Sequence, residues 1–113
     1  MHELSLVQGV LNVALRAAEQ GGAKRILAVY VKVGAYSDVE PTNMDECFKL
    51  LSRDTMAQDA RLVVEEIPVT IRCNECGAEN GVERRANCCP VCGSRDITML
   101  TGRECYVDRL EAE

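Results

Sequence analysis

Residues 73–93, CNECGAENGVERRANCCPVCG, decide how this chain is organised because they contain two Cys-x-x-Cys-Gly units. In each unit a tight turn brings the second thiolate to the ion that the first one binds. The glycine accepts the positive φ at which such a turn ends. Four thiolates with no open position form the ligand set of a structural zinc site, not a catalytic one. The predicted zinc ligands are Cys73, Cys76, Cys89 and Cys92.

Other uses of these cysteines stay open at this point. Rubredoxin-type iron uses similar paired cysteines, although zinc is the more common outcome of this spacing. A dithiol redox pair usually has a single Cys-x-x-Cys at the start of a helix. Cys88 adjoins Cys89 but does not keep the spacing, so we interpret it as a spare thiol. Cys47 and Cys105 fall in predicted elements, where we expect small buried hydrophobic side chains.

Size and charge limit the remaining possibilities. A chain of 113 residues has room for one small domain plus a module stabilised by metal. Its formal charge of -5 argues against a nucleic-acid partner. No apolar run approaches the roughly 18 residues of a membrane span, so no membrane partner is expected. Reduced cysteines and the lack of a secretory leader predict a cytoplasmic protein. A single histidine and no phosphate loop argue against an enzyme.

Two segments have helical periodicity. Residues 4–20 place apolar side chains on one stripe, formed by Leu4, Val7, Leu11, Ala14, Leu15 and Ala18. The glycines at 21 and 22 should end this helix. A second helix is predicted after Pro41, which suits a first helical turn. Its apolar side would consist of Met44, Cys47, Phe48 and Leu51.

Three further segments have strand character. Residues 24–34 alternate, with Lys32 on one face and Leu27, Val29, Val31 and Val33 on the other. Residues 61–73 form a second strand region, in which Pro68 marks an edge, bend or bulge. Residues 96–113 are expected to form two short strands around a turn at Thr101 and Gly102. The cysteine module is therefore an insertion, and the last strand returns to the first sheet.

His2 is the one histidine of the chain. The amine of Met1, the imidazole of His2 and the backbone nitrogens between them can chelate one ion in a tetragonal set that suits Ni(II) or Cu(II). Deprotonated amides would make the Ni(II) complex formally neutral, which suits the positive end of the helix that follows. Glu3 can cap that helix or support the site. The alternative is an exposed histidine with no functional role.

Several motifs together resemble the HypA-type hydrogenase maturation proteins. They are MHEL at the start, KVGAYSDVEP between the first strand and the second helix, and CNECG and CPVCG further on. The resemblance covers essentially the whole chain in order. It departs only in the doubled Cys88-Cys89, which leaves the ligand choice in the second unit open.

The resemblance implies a nickel metallochaperone of α+β fold. Such proteins deliver Ni2+ to the large subunit of [NiFe] hydrogenase with a GTPase maturation partner, and some serve urease maturation proteins. The family fold has two helices on a three-stranded sheet, residues 1–70 plus 101–113 here, with a zinc-ribbon-like module at 71–100. The nickel site would be Met1, His2 and Glu3, and the structural Zn2+ ligands Cys73, Cys76, Cys89 and Cys92.

Two alternatives belong to other classes. A zinc-ribbon interaction adaptor would use the four-cysteine module without transferring nickel. An iron electron-transfer protein would be coloured and would cycle between oxidation states. Neither alternative gives His2 a role.

Overall fold

The structure is a computed structural model that describes residues 3–37 and 39–113. These residues form two compact units. The first contains 3–32, 39–65 and 105–113, and the second contains 33–37 and 66–104. The domain limits inferred from the sequence stay a prediction. Within the described residues, no helix combines the length and the apolar character needed to cross a bilayer.

Among the described residues, helices and strands alternate as far as residue 67, and only strands follow. In chain order they are α1 (Glu3–Gln20), β1 (Ile26–Gly34), a 3-10 turn (Ala35–Ser37), α2 (Pro41–Leu51), β2 (Arg61–Ile67), β3 (Val69–Cys73), β4 (Glu79–Val82), β5 (Ile97–Thr101) and β6 (Cys105–Ala112). One sheet has the strand order β2-β1-β6 and the other β4-β3-β5. The α+β class and the return of the last strand to the first sheet are confirmed.

Helix α1 buries the predicted stripe through most of its length and contacts α2 and β6. Val7 and Ala14 are fully buried, while Leu4 in the first turn is exposed, contrary to the prediction. The helix ends as expected, because Gly22 adopts a φ of 72° and the amide of Ala23 donates to the carbonyl of Ala18 at 2.9 Å.

Strand β1 and helix α2 supply the rest of this core. Val29, Val31, Met44 and Phe48 are all buried. Leu27, predicted on the same strand face as Val29 and Val31, is 40% exposed, so this face is not buried along its whole length. The strand begins only at Ile26, and the alternation of burial is irregular in its first residues.

The second unit is organised around β3, which pairs antiparallel with β4 and β5. Strand β4 was not predicted. The turn after β5 is confirmed, with Gly102 at a φ of 126°, but the strands on its two sides belong to different sheets. Cys105, at the start of β6, is exposed, so the prediction of a buried side chain is wrong. Cys47 is half-buried.

Candidate metal centre

The first cysteine unit begins where β3 ends. Cys73 is buried as the last residue of that strand, and Cys76 is exposed in the turn that follows. The amide of Gly77 donates to the carbonyl of Cys73 at 3.0 Å, and Gly77 has a φ of 77°. The amide of Cys76 points to the sulfur of Cys73 at 3.4 Å. This is the turn that the spacing predicts, with glycine where a side chain would be strained.

The second unit repeats this geometry in a loop. Cys89 is buried and Cys92 is exposed. The amide of Gly93 donates to the carbonyl of Cys89 at 2.9 Å, and Gly93 also has a φ of 77°. The amide of Val91 points to the sulfur of Cys89 at 3.3 Å. Each unit therefore contributes one buried and one exposed thiol.

The two units bring their four sulfurs together, with all four within 4.8 Å of one another. The sulfurs of Cys73 and Cys92 are 3.5 Å apart, and those of Cys76 and Cys89 are 3.7 Å apart. A Zn–S bond of about 2.3 Å places the sulfurs of a tetrahedral site about 3.8 Å from one another. The donor set and its spacing therefore fit a tetrahedral four-thiolate zinc site.

The sulfurs differ in acidity because their surroundings differ. The amides of Cys76 and Glu75 lower the pKa of Cys73 to about 7, an effect larger than that of its burial. The amide of Ser94 lowers the pKa of Cys92, but the neighbouring thiol of Cys73 and desolvation outweigh it and raise the value to about 12. The amides of Cys92 and Val91 also lower the pKa of Cys89, whereas the pKa of Cys76 is raised, so the buried thiol of each unit ionises more readily than the exposed one. Binding of a divalent ion releases the remaining protons.

The other predicted site residues lie apart from this cluster. Cys88 is exposed and is not among the four grouped sulfurs. Met1 and His2 lie outside the described residues. Glu3 is the first residue of α1 and is half-buried. Its carboxylate is therefore in the first helical turn, where negative charge is favourable.

A family model described as "Hydrogenase/urease nickel incorporation, metallochaperone, hypA" matches residues 1–112. The chain belongs to this family. A HypA-type relative, "Hydrogenase maturation factor HybF" of Klebsiella pneumoniae, is 38% identical over 113 residues, all of both chains. "Hydrogenase maturation factor HypA" of Geobacter metallireducens is 37% identical over the same full lengths. The resemblance stated from the sequence motifs is confirmed.

A solved HypA structure has the same fold. The "Solution structure of the Ni metallochaperone HypA from Helicobacter pylori" superposes with a TM-score of 0.73 at 23% identity, covering 99% of this chain and 97% of that chain. This chain is thus a HypA-family protein with the fold of that structure and a four-cysteine cluster.

Sequence reasoning missed the polar side chains that lie around the cysteines. Asn74 contacts both Asp96 and Thr98, which are more than twenty positions away in the chain. The one signal available was a polar residue inside the first Cys-x-x-Cys, and that alone does not indicate a partner. The pairing of β3 with β5 has to be known first.

Proposed function

We propose that this chain is a nickel metallochaperone that delivers Ni(II) to the large subunit of [NiFe] hydrogenase. The observation that carries the proposal is the match of residues 1–112 to a nickel-incorporation family. The names of the relatives, which are hydrogenase maturation factors, support the choice of hydrogenase as the recipient. We propose that the protein acts in the cytoplasm with a GTPase partner, and that urease maturation proteins are a further class of partner.

The proposed nickel site consists of Met1, His2 and Glu3. The Met1 amine, the His2 imidazole and the amide nitrogens between them supply a tetragonal nitrogen set that suits Ni(II). The position of Glu3 in the first turn of α1 supports this proposal. A carboxylate there offsets the positive end of the helix, which would otherwise repel a cation.

The chemistry of this site would be binding and transfer. A nickel ion next to the start of a helix can be presented to an acceptor, and replacement of one ligand by the acceptor would free it. The chain offers no second histidine to complete the site. We propose that a further ligand comes from Glu3 or from the acceptor.

The proposed zinc ligands are Cys73, Cys76, Cys89 and Cys92. Their four sulfur atoms all lie within 4.8 Å of one another, which supports this assignment. When bound, zinc supplies a fixed cross-link between the two cysteine turns, with no open position for a substrate. We propose that it stabilises the module at 71–100, while residues 1–70 and 101–113 form the nickel domain.

Nickel insertion in a purified system tests the proposal. Nickel-loaded chain, the GTPase partner and hydrogenase large subunit free of nickel are combined, and nickel in the re-isolated large subunit is measured by mass spectrometry. His2→Ala is expected to reduce insertion to the level seen without the chain. Cys88→Ser, which alters an exposed thiol outside the cluster, is the matched control and should insert nickel normally.

An interaction adaptor is the second candidate, and exposed apolar side chains in the second unit favour it. Val91, between Cys89 and Cys92, is 67% exposed, and Leu100 on β5 is 39% exposed. An adaptor would bind its partner without moving metal. Equal nickel insertion by His2→Ala and the unaltered chain would favour this candidate and count against the metallochaperone.

A further inference from the structure

A chain of hydrogen bonds joins the two cysteine turns without passing through a metal ion. It begins at Asn74, directly after Cys73. The backbone amide of Asn74 donates to the carbonyl of Asp96 at 2.9 Å. Its side-chain Nδ2 donates to Oδ1 of Asp96 at 3.0 Å. The first turn is thus attached at two points to the residue that precedes β5.

The same aspartate is attached to the second turn. The amide of Asp96 donates to the hydroxyl of Ser94 at 3.1 Å. The carbonyl of Ser94 accepts a hydrogen bond from the amide of Cys89 at 2.7 Å. Asp96 therefore contacts Asn74 in one direction and, through Ser94, the buried cysteine of the second unit in the other.

Thr98 contacts both polar atoms of the Asn74 amide group, and the Asp96 carboxylate selects the orientation of that group. Its hydroxyl lies 3.1 Å from Nδ2 and 3.3 Å from Oδ1 of Asn74. With Nδ2 directed at both Asp96 and Thr98, the two amide hydrogens have acceptors, and a flipped amide would place Oδ1 against the Asp96 carboxylate. This arrangement specifies asparagine, because aspartate would bring two carboxylates together.

We infer that Asn74 is a positioning residue for the four-cysteine centre, acting through Asp96. It fixes the first turn relative to the second, so that the thiols are already close before the metal binds and separate slowly while it is bound. Preorganised ligands need less rearrangement when they close on an ion. The inference rests on the proposed zinc site and specifies which residues outside the ligand set control how long zinc is retained.

Zinc release tests the inference. Zinc-loaded protein is mixed with an excess of a chromogenic chelator, and the first-order rate of zinc transfer is measured. Asn74→Asp removes the hydrogen bonds that the side-chain Nδ2 donates, keeps the one from the backbone amide, and places like charges together. We expect it to release zinc about tenfold faster. Asn12→Asp, the same substitution at an exposed asparagine on α1, should release zinc at the unaltered rate.

A double variant that exchanges the residues at positions 74 and 96 separates a positioning role of Asn74 from a general loss of stability. Asn74→Asp combined with Asp96→Asn restores one donor opposite one acceptor and keeps the net charge of the unaltered chain. Its release rate should return to within about threefold of the unaltered protein. Thr98→Val should release zinc faster than Thr98→Ser, which keeps the hydroxyl. If Asn74→Asp does not fold, this comparison tests the inference in its place.

The outcomes are distinguishable. Release at the unaltered rate by zinc-loaded Asn74→Asp would overturn the positioning role, as would a double variant that stays as fast as the single one. Failure of the unaltered chain to bind one zinc ion would instead overturn the four-cysteine site itself, and the inference with it.

Discussion

Cys89→Ser removes one sulfur from the four-cysteine cluster with little change in side-chain size. Structural zinc binds small modules with a free energy of about 12 kcal/mol, so loss of one of the four ligands should reduce the binding free energy by about 3 kcal/mol. That cost corresponds to roughly a hundredfold weaker zinc binding. Because Cys89 is also buried, at 2% exposure, an uncompensated hydroxyl there adds to the loss.

The neighbouring Cys88→Ser is a matched control, because it makes the same chemical change one residue earlier at an exposed position. Both proteins are purified with zinc, their metal content is measured, and the zinc dissociation constant is obtained by competition with a chelator of known affinity. Cys88→Ser should match the unaltered chain. Equal zinc affinity in the two variants would refute the assignment of Cys89, and weaker binding by Cys88→Ser alone would transfer the ligand role to Cys88.

Three further predictions concern the second unit and α1. A Cβ on Gly34 would overlap the backbone carbonyl of Gly102, so Gly34→Ala should lower the free energy of unfolding by about 3 kcal/mol. Gly9→Ala on α1, where an added Cβ meets nothing within 4 Å, should raise that free energy by about 0.5 kcal/mol. Urea unfolding measures both changes. The Glu104 backbone amide and the Gly102 amide lower the pKa of the Glu104 carboxyl, so its contribution to stability is present above the unfolded pKa and lost as pH falls through the folded one. Because solvent screens this carboxylate, Glu104→Gln should cost only about 0.5 kcal/mol at pH 7 and have no effect well below the folded pKa; an equal cost at both pH values would contradict this prediction. Zinc removal should increase amide hydrogen exchange in β3, β4 and β5 while α1 keeps its protection; unchanged exchange in all three strands would contradict this.

The elements with strong periodicity or fixed spacing were predictable from the sequence. The spacing of the apolar stripe that contains Val7 and Leu11 predicts a helix with both residues on its buried side, and both are buried. The two Cys-x-x-Cys-Gly units predicted turns that end at Gly77 and Gly93, and both glycines have positive φ. These features depend on residues close together in the chain, so local reasoning was sufficient.

The features that sequence reasoning missed depend on distant partners. Strand β4 contains Asn80 and Gly81, which have low strand propensity, and it forms because it pairs with Ile71 and Thr70 of β3. Its register aligns Val82 with Val69. No periodicity in four residues could have indicated this pairing.

The exposed cysteine at position 105 was missed for a related reason. Its strand was expected from composition, but the side of the sheet that each residue faces depends on the register of β6 with its neighbour, which the sequence does not give. Cys105 is exposed, and so is the adjacent Tyr106.

Titration of Ni(II) into the zinc-loaded chain tests the central claim most directly. The unaltered protein, His2→Ala and a form with two extra residues before Met1 are compared by calorimetry, with zinc content measured before and after. The unaltered protein should bind one nickel ion per chain, both altered forms should lose that binding, and all three should keep full zinc occupancy. Equal nickel binding by all three would remove His2 and Met1 from the site and contradict the account.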